Sequence, residues 1–205
     1  MAFKKLSLDK LESQFGISNE VSKIIPVESI TPVTPSAFLL EQLRIAEELP
    51  TFSEKAKSEF MVAPILMEAR RISDKFFTIF SGETLSVDPE NGLVGECDFL
   101  LTKASRSYSI KIPILSLVEA KRGDISLGVA QCAAQLYGAY LYNKRDNLEL
   151  PRMYGCVTSG EGWKFMMLEE GTIKIDPVTY FYPPQLGLIL GIFKHIMSYY
   201  RTILP

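Results

Sequence analysis

Histidine is almost missing from this chain: His195 is the one histidine in 205 residues. A zinc site built on two histidines is therefore excluded. Cysteine is scarce too, and Cys97, Cys132 and Cys156 form no CxxC pair. An odd count without close spacing fits free, buried thiols in a reducing compartment rather than a disulfide framework. No apolar run reaches the ~18–20 residues that span a bilayer. The opening decapeptide, Met1 to Lys10, lacks the continuous apolar stretch of a signal peptide, so a cytoplasmic protein without membrane association is expected. Positive charge is not in surplus either: 22 Lys plus Arg stand against 24 Asp plus Glu, for a formal charge of -2. Proteins that coat nucleic acid are strongly basic, because neutralising phosphates supplies most of their binding free energy. That class is excluded, although an enzyme with its basic groups gathered on one face is not.

What is present is an ordinary core. At 47% hydrophobic and 22% charged residues the chain is too apolar to be disordered. Its length suits one domain, with residues 1–50 as an N-terminal arm and helix and 51–205 as the main domain. A short helix is expected at 7–14, then an extended Pro-rich stretch from Ile25 to Pro35, since proline disfavours helix for itself and its predecessor. Ser36 reads as the N-cap of a helix ending before Pro50, and Ser53 as the N-cap of a helical stretch reaching about Asp74, with a kink or two abutting helices at Pro64. Phe77 and Ile79, then Leu85 and Val87, alternate around Ser81-Gly82, which predicts strand, turn, strand. A turn at 88–92 leads to a strand over 93–101 and a polar loop over 103–108. The apolar run 112–118 predicts a central strand buried on both faces. An Ala-rich helix at 126–143, a hairpin of 153–159 with 163–168, a short strand at 172–175 and a terminal helix at 184–203 complete an α/β or α+β chain with a mixed sheet.

The informative segment is Gly95-Glu96-Cys97-Asp98-Phe99 followed by Leu117-Val118-Glu119-Ala120-Lys121. Period two puts Glu119 and Lys121 on one face of a strand. If its neighbour carries Asp98, two carboxylates lie side by side, an arrangement that holds a hard divalent cation through oxygen. Lys121 would then polarise a water or offset phosphate charge. An acid-x-Lys triplet occurs by chance in a chain of this composition, and the plain alternative is a Glu–Lys pair capping a core strand. Its context sets it apart, because charges ending an apolar strand are costly to desolvate without a compensating partner.

The order helix, strand, strand with Asp98, strand with Glu119-x-Lys121, helix resembles the PD-(D/E)XK, or restriction endonuclease-like, nuclease superfamily. More closely, Ser53–Phe60, Ala63–Leu66, Val118–Lys121, Gln131-Cys132 and Tyr154–Gly160 through Trp163–Phe165 resemble a bacterial, often cyanobacterial, family within it. The likeness covers roughly 53–195. Cys97-Asp98 stands where the prototype has Pro-Asp. The resemblance implies magnesium- or manganese-dependent hydrolysis of phosphodiesters, with DNA as the expected partner. Asp98, Glu119 and the Ala120 carbonyl would bind metal, and Lys121 would orient the attacking water. A glutamate on the first helix adds a ligand in such nucleases. Glu54, Glu59 and Glu68 compete for that role; Glu59 fits resolvase-like relatives and is the choice, while Glu54 fits type I restriction subunits. Gln131 matches the glutamine such enzymes carry near the active site. Their Gln-x-x-x-Tyr spacing is missing, with Tyr137 or Tyr140 as substitutes, and Gln135 reads equally well as a surface amide.

Lys103, Arg106, Lys111, Arg122, Lys144 and Arg145 are candidates for a basic face toward phosphates, or a scatter of solvated charges. Trp163 is expected as a cross-strand aromatic, His195 as structural and Cys97 as a core thiol. A homodimer is expected from the resemblance. The competing reading is a non-catalytic nucleic-acid- or protein-binding module that retains the fold, with a regulatory partner protein as a third.

Overall fold

The computed structural model describes residues 3–103 and 109–204. Helix α1 (Leu8–Phe15) begins at Ser7, whose hydroxyl accepts from the Lys10 N–H, and ends at Gly16 with φ 69°. Strand β1 (Ser18–Val21) follows, then helix α2 (Ala37–Glu47), capped by Ser36. Helix α3 (Glu54–Lys57), capped by Ser53, passes through a π-helical turn at Ser58–Val62 into α4 (Ala63–Ile72). Strands β2 (Thr78–Asp88), β3 (Leu93–Thr102) and β4 (Ile114–Ala120) lead to helix α5 (Ser126–Lys144). Strands β5 (Arg152–Thr158), β6 (Gly162–Glu169), β7 (Thr172–Ile175) and β8 (Tyr180–Phe181) precede helix α6 (Leu186–Ile203).

These strands form one sheet in the order β1-β7-β6-β5-β4-β3-β2, with β8 attached to β6. The pairs β4–β5 and β1–β7 are parallel and the rest antiparallel, so the sheet is mixed and helices flank it. Every residue of β4 is buried, as its apolar run predicts. Side chains alternate across the sheet, and the alternation assigns the layers. A Cβ on Gly155 would meet Cys132 and Leu136 of α5, whereas Tyr154 packs on Tyr199 and Tyr200 of α6. Helices α5 and α6 therefore cover opposite faces.

Two buried polar groups fix the layers. Asn143, near the end of α5, donates through Nδ2 to the Ile114 carbonyl and accepts from the Ile114 N–H through Oδ1, both at 2.8 Å. It behaves as one more strand partner for β4. The Tyr200 hydroxyl donates to the Leu115 carbonyl and accepts from the Tyr154 N–H, tying α6 to the other face.

Two expectations change. In place of a kink or abutting helices at Pro64 there is a π-helical turn that ends two residues before it, at Val62, with the Ala63 N–H reaching the Ser58 carbonyl. Proline has no N–H, and the wider turn absorbs the mismatch. No turn divides Ser81 from Gly82: β2 runs unbroken from Thr78 to Asp88, and Gly82 takes φ 70° within it. The described residues 3–50 pack on the rest of the chain. Strand β1 extends the sheet, and Phe3, Leu11, Leu39 and Leu43 join the same core as the remainder. The buried Asp176 holds this segment, accepting from the Ile24 and Ile25 N–H groups. The polar loop expected at 103–108 lies mostly outside the described residues, Arg106 included.

Candidate active site

Strand pairing brings the expected residues together. Phe99 pairs with Val118 in the antiparallel β3–β4 register, so Asp98 falls opposite Glu119. Asp98 Oδ2 accepts from the Ala120 N–H at 2.7 Å. Glu119 points to the α5 face, where Lys121 Nζ donates to its Oε1 at 2.6 Å and Gln135 Nε2 donates to its Oε2 at 2.8 Å. Gln135 Nε2 also reaches the Glu96 carbonyl at 3.2 Å, linking β3, β4 and α5 through one amide. Gln131, one helical turn earlier, accepts from Lys121 Nζ at 3.3 Å.

Gly128 explains how Lys121 fits beneath the helix. A Cβ there would stand 2.6 Å from Val157 Cγ1 and 2.9 Å from Lys121 Cγ, so only glycine lets the start of α5 approach the lysine stem so closely.

Burial perturbs these groups in a definite sense. Glu119 is 1% exposed. Loss of water, with Asp98 beside it, pushes its carboxyl up to about 7. Burial also raises Asp98, although the Ala120 N–H opposes the shift. For Lys121 burial works against the charged form, yet Glu119, Glu54 and Asp98 outweigh it and hold the ammonium above its ordinary range.

Asp98 opens onto a pocket of about 370 Å³, lined also by Glu54, Ser58, Glu59 and Glu96. Glu54 Oε1 stands 4.0 Å from Lys121 Nζ. Glu59 faces Lys55 at 3.7 Å on the outer side of the same pocket. Of the three first-helix acids Glu54 thus comes nearest the cluster, although Glu59 was the expected ligand. Glu68 is elsewhere: buried, it accepts from the Ser36 N–H and hydroxyl and pairs with Arg71 at 2.8 Å. The Arg71 hydrogen bond holds its carboxyl below the usual range despite burial.

Other expected participants stand apart. Tyr137 and Tyr140 stack on each other beside a second cleft, about 520 Å³, toward the C-terminal end of α5. Lys144 pairs there with Glu149, and Arg145 donates to the Val87 carbonyl. Lys103 sits over the Phe76 ring. Of the expected basic face, Lys103, Lys144 and Arg145 are therefore not gathered around Asp98, whereas Lys55 does line its pocket. Trp163 is fully buried, donates to the Gly160 carbonyl and packs edge-on against Phe193, which leaves no face free to stack on a base. Cys97, Cys132 and Cys156 are free, buried thiols, and His195 is half-buried on α6.

The donor set is one of hard oxygens, the chemistry that magnesium and manganese prefer. A divalent cation would relieve the repulsion that raises Glu119. As the side chains stand, both Glu119 oxygens are engaged by protein donors. Among the described residues no group of three or more His, Cys, Asp or Glu converges to hold a metal. Comparison with protein-family models, with curated proteins and with solved structures found no match. Among the described residues no helix is long and apolar enough to cross a membrane.

Proposed function

We propose that this chain is a metal-dependent phosphodiesterase acting on nucleic acid, with DNA as its substrate and a PD-(D/E)XK-type site. The observation that carries the reading is the meeting of Asp98, Glu119 and Lys121 on one face of two adjacent strands, at the edge of an open pocket. Asp98 and Glu119, with Glu54 across the pocket, would hold magnesium or manganese. The metal would supply Lewis-acid polarisation of the phosphate and an acidified water. Lys121 holds a permanent positive charge where the phosphate would gain negative charge, and Gln131 fixes the direction of its ammonium. Glu119, now held by Lys121, would carry part of the cation's ligation and leave the ammonium to the phosphate.

The test is incubation of purified protein with supercoiled plasmid and single-stranded DNA, with magnesium or manganese. Cleavage is expected, and it should disappear in Glu119→Ala and Lys121→Ala. Cleavage that survives either substitution would belong to a contaminant and end the proposal.

A second reading has its own support. The Glu119 oxygens are satisfied within the protein, which suits a binding module that retains the fold. Titration calorimetry with manganese separates the two. Binding lost in Asp98→Ala supports the enzyme, and no binding supports the module.

A further inference from the structure

We infer that the cleft beside the C-terminal half of α5 is a second binding site, built to take a small organic cation with an apolar body. It stands apart from the Asp98 pocket: Tyr140 lies nine residues beyond Gln131, about 14 Å further along α5. Its volume of about 520 Å³ falls within the ~300–1,000 Å³ of small-molecule sites. The floor is apolar, with Ile17, Leu150 and Leu168 buried beneath it. Tyr137 and Tyr140 line it with rings 6.4 Å apart and 19° from parallel, and Phe15 packs on Tyr137 at 5.4 Å. The rim includes the two-residue turn Glu170-Gly171 between β6 and β7, whose Gly171 carbonyl accepts from the Ser18 N–H at 3.1 Å. Both turn residues take positive φ, 49° and 75°. That conformation suits Asn, Asp or Gly at its first position, so Glu170 is held there at a cost in backbone strain.

Charge and ring faces fix the sign of the ligand. Among the described residues lining the cleft, Lys144 is the one cation, and Glu149 neutralises it at 2.7 Å. Glu170 is left over: it makes no ion pair among the described residues, whereas Glu169 beside it is taken by Arg152 and Lys174. The last turn of α5 adds the partial negative charge of its free carbonyls. Tyrosine faces attract cations through their electron-rich π systems. Lys144 already uses that chemistry, its Nζ standing 5.8 Å from the Tyr140 ring centroid while bonded to Glu149. Half-exposed on a flexible stem, it is a resident occupant that an incoming ammonium displaces. The ligand would meet the same ring and the same carboxylate, gain Glu170, and lay its apolar part over Ile17 and Leu168. An anion would instead face Glu149, Glu170 and the helix carbonyls.

Benzyltrimethylammonium, benzyl alcohol and benzenesulfonate share an aromatic body and differ in charge. Titrating each into the full chain, without metal or DNA, and following amide NMR shifts tests the site independently of any nuclease activity. Saturable binding of the ammonium is expected at about 1 mM or tighter, with shifts at Tyr140, Lys144 and Gly171, and the other two probes at least about fivefold weaker. Tyr140→Leu should weaken the ammonium about tenfold and Glu170→Gln about threefold. Lys144→Met removes the resident ammonium and should tighten binding about threefold, the opposite of what an anion site would show. Glu170 and Lys144 are exposed, and an unchanged thermal midpoint will show that both variants fold. No saturation by benzyltrimethylammonium at about 20 mM would overturn the inference. So would benzenesulfonate binding as tightly, a Lys144→Met chain that binds the ammonium no better than the wild type, or wild-type affinity in both Tyr140→Leu and Glu170→Gln.

Discussion

Gln135 donates to Glu119 across 2.8 Å inside the protein, and both side chains are 1% exposed. An amide in that position is a permanent donor, so it favours the charged carboxylate that burial and Asp98 disfavour. Gln135→Leu removes the donor and strands a buried acceptor, a loss of roughly 1–3 kcal/mol. Urea denaturation should show that loss in Gln135→Leu and almost none of it in Gln135→Leu combined with Glu119→Leu.

Glu119 also sets a pH dependence. Its carboxyl lies near 4.5 ordinarily and at about 7 in the fold. A raised folded value means that the fold favours the protonated form. The associated stability is complete below about pH 4.5 and is lost as pH rises through 7. Asp98, also raised, acts in the same sense. The interval corresponds to an upper bound of about 3 kcal/mol at 1.36 per unit. Urea midpoints should therefore fall between pH 5 and pH 8 in the metal-free protein, and Glu119→Gln should flatten most of that fall.

Gly128→Ala sets two effects against each other. Alanine improves helix propensity by about 1 kcal/mol, while overpacking typically costs 1–3 kcal/mol. With a Cβ 2.6 Å from Val157 and 2.9 Å from the Lys121 stem, the clash prevails and Lys121 must move. Stability is expected to fall by about 1 kcal/mol, and DNA cleavage by more than that loss of stability accounts for. Wild-type cleavage in Gly128→Ala would show that the lysine's position does not matter.

Asn143→Leu leaves both backbone groups of Ile114 without their partner. Two buried backbone groups at ~1–3 kcal/mol each predict one of the largest losses of any single substitution here, about 3 kcal/mol. Amide hydrogen exchange at Ile114 should accelerate with it, and an unchanged rate would mean that water takes over the bond.

Much of this architecture can be read from residue patterns. Ser36, Pro50 and the leucines between them specify α2, and the unbroken apolar run of β4 announces a central strand with its charges at one end. Legibility fails where a strand has an open edge. Ser18-Asn19-Glu20-Val21 has no apolar alternation because β1 lies at the border of the sheet with exposed side chains, so it reads as loop. The stretch Ser81–Thr84 is exposed at the opposite border, and its polar residues with Gly82 imitate a turn. In the site, strand period pairs Asp98 with Glu119 and sets Lys121 beside it. The first-helix acid escapes because Glu59 falls inside a π-helical turn, where 3.6-residue spacing no longer reports direction. Gln135 carries a signal that was there to use: it lies four residues after Gln131 on an Ala-rich helix, and a residue facing that strand from the next turn must meet the next charge along it.

The pairing of Asn143 with Ile114 has a consequence for the distant end of the same helix. Asn143 is twelve residues from Gln131, about 18 Å along α5 at 1.5 Å per residue. One end of that rod is bolted to the first residue of β4, and the other meets Glu119, the last but one residue of β4, and the lysine just beyond the strand. A rod bolted to the strand it measures acts as a gauge: the separation of the two glutamines from Glu119 and Lys121 is determined by the ratio of helical to extended rise over the intervening residues. Inserting or deleting one residue between Leu136 and Asn143 would leave every named group of the site in place in the sequence and still bring the amides to the wrong atoms.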